Sequence, residues 1–306
     1  SLPEDEFAGF DSYEEALAAY QAEPDVTVHL EFGWGDPENP GWQLPTTEQT
    51  FDVWPPADQP AREFFLGADQ RLLDTVGEVG GVERFQHDPE AGARTLSEES
   101  AGAHQQPLVT SDWEPLADGY GHEYPTAPRA DDVTLAAPGH VELHVAPGAV
   151  DSNVEVNLSE VRPNGDEIRV QSGWLRLGHH EGVDEDFTTD HHVEYSYALE
   201  DFVDLVPGEQ IAVRVPIYPF VHPFREGSRI RLTIETPGGN HPLWTFENPT
   251  YDGDVFHDVA FGPDTPSSLH LMEFPDIEVP DPPPICPSLR GQPCRTYVPV
   301  TNATGD

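Results

Sequence analysis

The densest run of side chains able to do chemistry is residues 178–192, Gly-His-His-Glu-Gly-Val-Asp-Glu-Asp-Phe-Thr-Thr-Asp-His-His. The carboxylates of Asp184, Glu185 and Asp186 are hard oxygen donors that suit a calcium ion, and the imidazoles of His179, His180, His191 and His192 suit a transition metal. The spacing matches neither a calcium-binding EF-hand loop nor the H-E-x-x-H of a zinc helix. With 57 acidic residues in the chain, such a run also arises readily as a solvated loop between strands. The residues thus allow calcium at Asp184, Glu185 and Asp186, and they call for no other cofactor.

A serine nucleophile needs a tight turn after a buried strand, with a histidine and an acid in reach. No G-x-S-x-G occurs; the nearest approach, Glu98-Glu-Ser-Ala-Gly102, lacks the first glycine. No catalytic residue is therefore assigned. A second cluster, Tyr218-Pro-Phe-Val-His-Pro-Phe224 with Asn240, His241 and Trp244-Thr-Phe246, is aromatic and polar. Phe220, Phe224 and Trp244, together with Trp174, suit a ligand cleft or a domain interface, although aromatics at this density also fill sandwich cores. Asn302-Ala-Thr304 is a glycosylation sequon in a polar tail, significant only in a eukaryotic secretory pathway.

Cys286 and Cys294 lie in a Pro- and Gly-containing loop. They read as a local disulfide, and hence an oxidising, secreted or otherwise extracytoplasmic setting, with a pair of free thiols as the alternative. Zinc is disfavoured because the spacing is too wide for a knuckle and no histidine is near.

The elements that would position these groups are mostly short strands. Residues 11–22 predict a helix capped by Asp11 or Ser12, with Glu14 and Glu15 at its positive end and Pro24 beyond it. Val26–Phe32 alternates with period two and predicts a strand; 33–47 reads as a loop, and Ala61–Leu66 as a strand followed by a hairpin turn over 67–72. From about Thr75 to Pro128 few periodic runs occur, which predicts a long surface excursion. Alternation becomes regular from residue 131, at 141–145, 153–158, 167–171, 174–177, 211–215 and 229–235, with a hairpin signal at Asn164-Gly165. Strands this short with long connections such as 178–200 predict a mainly β jelly roll. After Pro275 a proline-rich arm leads to the cysteine loop.

Composition removes whole classes of function. The net charge is −43, and all 14 basic residues are arginine. Such a chain has no basic face for nucleic acid or an anionic membrane. No apolar run reaches the length of a membrane span, and the first residues carry no leader pattern. A lysine-free acidic surface points to a GC-rich genome or to concentrated salt, and a stability-versus-salt curve separates the two.

By residue 216 the run Pro216-Ile-Tyr-Pro-Phe-Val-His-Pro-Phe-Arg-Glu-Gly-Ser-Arg-Ile-Arg-Leu-Thr-Ile234 resembles a signature near the end of a known domain. That domain is the C-terminal, galactose-binding-like jelly roll of the X-Pro dipeptidyl-peptidase and cocaine esterase (CocE/NonD) family of α/β-hydrolases. Trp54-Pro55-Pro56 with Phe64-Phe-Leu66, Val141–Val145, Ala149–Gly165, Gly173–Leu177, Val206–Gly208, Asn248-Pro249, Pro266–Leu269 and the tail Cys286–Cys294 resemble family segments in the same order. The resemblance spans about residues 45–295.

What the resemblance implies is a non-catalytic part. The family's serine, aspartate and histidine come from an α/β-hydrolase domain that precedes the jelly roll, so none transfers to any position here. The expectation is three segments: 1–44, a helix and strand left from the join to a hydrolase domain; 45–275, the jelly-roll β-sandwich; and 276–306, the proline-rich tail. The implied partner is an α/β-hydrolase domain or chain whose ester or X-Pro amide chemistry this domain would shape; self-association stays open. The rival reading is an independent carbohydrate- or calcium-binding module.

Overall fold

The computed structural model describes residues 5–56, 59–93, 113–238 and 247–299. The helix, α1, runs Tyr13–Tyr20 and is capped by Ser12, whose Oγ accepts from the Glu15 amide at 3.2 Å. Thus Ser12 rather than Asp11 supplies the cap, and both ends of α1 lie inside the predicted 11–22. The strands are β1 Val26–Leu30, β2 Thr47–Phe51, β3 Ala61–Gly67, β4 Arg71–Leu73, β5 Gly81–Gln86, β6 Gly121–Pro125 and β7 Val133–Ala146. They continue with β8 Asn153–Val161, β9 Asp166–Arg176, β10 Ile211–Phe224, β11 Arg229–Glu235, β12 Phe256–Phe261, β13 Ser268–Glu273 and β14 Cys294–Thr296.

Two antiparallel sheets face each other as a β-sandwich. The five-stranded sheet is ordered β14-β9-β8-β11-β6. In the seven-stranded sheet β7 is the hub: one edge pairs with β10 along nearly its whole length, and the other is divided between β13 and β12. Strands β3 and β4 extend the sheet beyond β13, and β5 extends it beyond β12. The core forms where period-two alternation turns both inner faces apolar: Val154, Val156 and Leu158 of β8 and Ile230, Leu232 and Ile234 of β11 meet Val141, Leu143 and Val145 of β7 and Leu269 and Leu271 of β13.

Asn164-Gly165 does form the β8–β9 turn. Gly165 takes φ +89°, a conformation that glycine adopts without strain, and Asn164 Oδ1 accepts from the Asp166 amide at 3.1 Å. Gly173 in β9 has a different reason to be glycine: a Cβ there would meet the Pro216 carbonyl of β10.

Outside the sandwich, the β1–β2 hairpin lays Val28 and Leu30 on Ala136, Met272, Phe274 and Ile277, with Trp54 stacked on Phe274 at 5.3 Å. The seven-stranded sheet is therefore covered on both faces at that point. Near the C-terminal arm, Trp34, Ile168 and Leu289 form a small separate cluster. Cys286 and Cys294 are joined as a disulfide, with Cα atoms 5.8 Å apart.

Candidate functional site

Three groups of polar side chains stand out, and the first is a buried ionic network at one end of the sandwich. The register of β8 turns Glu160 inward opposite Ile230, and the register of β10 turns His222 inward opposite Leu135. Ser228 donates its hydroxyl to Glu160 at 2.8 Å, and Arg162 donates to the other carboxylate oxygen at 3.0 Å. Burial pushes the Glu160 carboxyl up, but the bond and charge of His222, with Arg162 and Ser228, outweigh it and hold the group down to about 2. The same end carries the C-terminal arm: Arg162 donates to the Pro284 carbonyl, and Arg225 to Glu31 and to the Pro280 carbonyl. Ser228 and His222 both bond to Glu160 and not to each other, so the order serine, histidine, acid is not formed there.

The second group lies on the outer face of the five-stranded sheet, where the positions alternating with the core are polar and yet buried. Arg231 of β11, fully buried, donates to Glu167 at 2.8 Å, contacts Glu123 and lies under the Tyr297 ring. Burial and the neighbouring Arg295 pull its pKa down to about 9. Arg169 lies 3.3 Å from Glu155, whose carboxyl is raised to about 7 by burial and by Glu235.

The third group is on the outer face of the seven-stranded sheet. His140, Glu142 and His144 alternate along β7 with Val141 and Leu143, so all three point away from the core. His270 of β13 is the direct cross-strand partner of His140, and the two rings stack at 4.4 Å. Ligand atoms of His140, Glu142 and His270 all lie within 4.8 Å of one another. Burial, then His270, Arg214 and His191, lower the His140 pKa to about 3. Ser268 and His270 share a 2.8 Å hydrogen bond, and Glu63 stands 3.6 Å from the far nitrogen of His270. That is no catalytic triad, because 3.6 Å is too long for a hydrogen bond and Ser268 is only 3% exposed.

The sequence reasoning missed this group. The signal available was the alternating His-x-Glu-x-His of residues 140–144, which period two places on one face of a strand. Asp184, Glu185 and Asp186 line an open depression with Glu181, Ser196 and Asp201. Among the described residues their carboxylates do not converge as His140, Glu142 and His270 do; Asp184 instead accepts from the Asp186 amide at 3.1 Å, an ordinary turn. His192 bonds Glu194 at 2.8 Å and His180 bonds the Leu177 carbonyl.

The aromatic expectation divides. Phe224 is fully buried in the sandwich core, so it lines neither cleft nor interface: its position in β10 faces inward. Phe220 packs partly buried against the same core. Trp174 packs at a tilt against Tyr218, with ring centroids 5.6 Å apart. Trp244, with Asn240, His241 and Phe246, lies outside the described residues, as do Glu98–Gly102 and the sequon at Asn302. Helix α1 buries none of its residues, and Tyr13 is 74% and Tyr20 61% exposed.

The described chain is a two-sheet antiparallel β-sandwich preceded by a short helix and followed by a proline-rich arm strapped across its end. Residues 18–270 match the family model described as the X-Pro dipeptidyl-peptidase C-terminal non-catalytic domain, and the chain belongs to that family. A Mycobacterium bovis protein whose name describes it as a candidate serine esterase is 28% identical over 198 residues, 62% of this chain and 30% of its own length. A Mycobacterium tuberculosis protein of the same description matches to the same extent. The chain thus spans less than a third of the curated relatives it matches.

Among solved structures, an α-amino acid ester hydrolase superposes with a TM-score of 0.58 at 17% identity, over 83% of this chain and 41% of that one. A CocE/NonD family hydrolase from Staphylococcus aureus gives 0.55 at 15% identity, over 74% and 39%. At these identities the structures share the fold. No described helix is long and apolar enough to cross a membrane.

Proposed function

We propose that this domain forms the C-terminal portion of a serine ester or amide hydrolase, packs on an α/β-hydrolase domain and walls one side of its active-site cleft, outside the cytoplasm. The observation that carries the reading is the family match across the sandwich, combined with solved relatives in which this fold occupies about two-fifths of a hydrolase chain. Helix α1 supports it physically. Eight residues are too few for a helix to hold itself in water, and no residue of α1 is fully buried. Its exposed Tyr13 and Tyr20 suit a face that another domain covers. The disulfide fits an oxidising compartment.

The chemistry served would be acylation of a serine by an ester or X-Pro amide, followed by hydrolysis. The nucleophile would then come from the partner domain. The test is to recover this sequence from its native source and treat the sample with a fluorophosphonate probe. The expected result is label on a preceding segment of a longer polypeptide, or on a co-purifying chain, and none within residues 1–306. A lone species of the mass of these 306 residues, without a labelled partner, would overturn the proposal.

A further inference from the structure

We propose that His140, Glu142 and His270 form a binding site for a divalent transition metal of the zinc class, on the outer face of the seven-stranded sheet. The donor set is two imidazoles and a carboxylate, which favours zinc, copper or nickel over calcium or magnesium. Strand geometry brings them together without a loop: Glu142 follows His140 by two residues on one face of β7, and His270 sits opposite His140 on β13.

The second observation is an orphan atom. His140 is 6% exposed, and its Nδ1 is buried with no hydrogen-bond partner. A buried polar nitrogen left in that state is costly, and a metal ion would satisfy it. His144, one step further along the same face, also has a buried Nε2 without a hydrogen-bond partner, 3.7 Å from Glu142. Ser268 holds His270 Nε2 and Glu63 faces Nδ1; one nitrogen would exchange its contact for the ion, and the other would keep the outer-shell partner that a metal-bound imidazole usually has.

Metal–nitrogen bonds of about 2.0 Å set ligands in a tetrahedron roughly 3.3 Å apart. Closing from separations of up to 4.8 Å therefore takes about 1.5 Å at most, with the stacked His140 and His270 rings, 12° from parallel, tilting so that their in-plane lone pairs converge on the ion. The side chains of Glu142 and His270 are 37% and 26% exposed, so an ion can enter from solvent. A bound ion would cross-link β7 to β13 and stabilise the sheet.

The experiment is thermal unfolding of the full chain, stripped with chelator, in zinc, calcium or magnesium, with cobalt(II) absorption as a probe of coordination. The expected result is a rise in midpoint of about 5 °C at a hundredfold excess of zinc over its dissociation constant. Cobalt should give the intense visible bands of a four-coordinate site. Glu142→Gln, His270→Asn and His140→Gln should each lose both signals, the zinc shift being read against the same variant's own metal-free midpoint. The double variant His191→Ala/His192→Ala should keep them. No zinc response, a response that survives Glu142→Gln and His270→Asn, or one lost only in the double variant would overturn the proposal. So would a calcium response equal to that of zinc, which would assign the ion to the acidic loop.

Discussion

His222 Nε2 on β10 lies 3.2 Å from Glu160 Oε2 on β8, so one hydrogen bond crosses from the seven-stranded to the five-stranded sheet inside the sandwich. Both side chains are almost wholly buried, and Arg162, Ser228 and the Arg225 amide complete the shell of Glu160. The cluster ties the two sheets and the C-terminal arm together at one end.

The ionised form of Glu160 is favoured by the fold. Its pKa is about 2 against an ordinary 4.5, so the stabilisation is complete above about pH 4.5 and disappears as pH falls through 2. The size is about 3 kcal/mol. Thermal midpoints from pH 7 to 2 should fall in that window for the natural protein. Glu160→Gln should be less stable at pH 7 by about 3 kcal/mol and should lose this part of the acid dependence. Parallel profiles for the two proteins would contradict the assignment.

Arg231 faces two carboxylates, Glu123 and Glu167, and is shielded from solvent. Replacing it with leucine leaves Glu123 and Glu167 sharing fewer positive charges in a buried setting, and urea unfolding should register a loss of about 3–5 kcal/mol. Arg231→Lys keeps the charge but not the fork that serves two acids, and should fall between the two. A lysine variant as stable as the natural protein would show that charge alone suffices.

Gly173→Ala should cost about 1–3 kcal/mol, because the obstacle is the backbone of β10 at Pro216 and cannot swing aside. At Gly9 an added Cβ meets nothing within 4 Å, so Gly9→Ala should stay within about 0.5 kcal/mol of the natural protein. Equal effects at the two positions would mean that β9 and β10 are not in close contact.

Cleaving the disulfide should lower stability by about 2.5 kcal/mol, the loop-closure entropy expected for so short a ring. Gln292, inside that ring, reaches to 3.5 Å from His222, and Leu289 packs on Trp34. Hydrogen exchange in Cys286→Ser/Cys294→Ser should rise first over residues 280–296. Uniform exchange through the whole sandwich would show instead that the loop holds the core.

Much of the sandwich was legible because the alternation of Val154, Val156 and Leu158, and of Ile230, Leu232 and Ile234, is uninterrupted by turn residues. What escaped was strand without clean alternation. β5 and β6 fall within residues 75–128, which read as a surface excursion; in β5 only Phe85 is buried, so period two had little to display. In β10 the alternation is regular only to Val215, yet the strand runs to Phe224 through Pro216, Pro219 and Pro223. It pairs with β7 on one edge only, and such a strand tolerates residues that lack an amide hydrogen. β12 and β13 give no strand signal in the sequence, since His257, Asp258, His270 and Glu273 interrupt their apolar runs. The outward histidines of β7 and β13 went unremarked for a related reason: their partnership depends on register between strands more than a hundred residues apart, which no local pattern encodes.

The position of β7 at the centre of its sheet carries a consequence for how the molecule is made. One edge of β7 waits for β10, and the other for β12 and β13, the latter ending at Glu273. β3, which ends at Gly67, has its inner partner only in β13. During synthesis the inner edge of β3 therefore stays unpaired until β13 has emerged, although β4 pairs its outer edge early, and closure is governed by distant pairings, the slow regime of folding. For all that time mutual repulsion helps to keep the open edges from other chains, and a net charge of −43 supplies it in abundance.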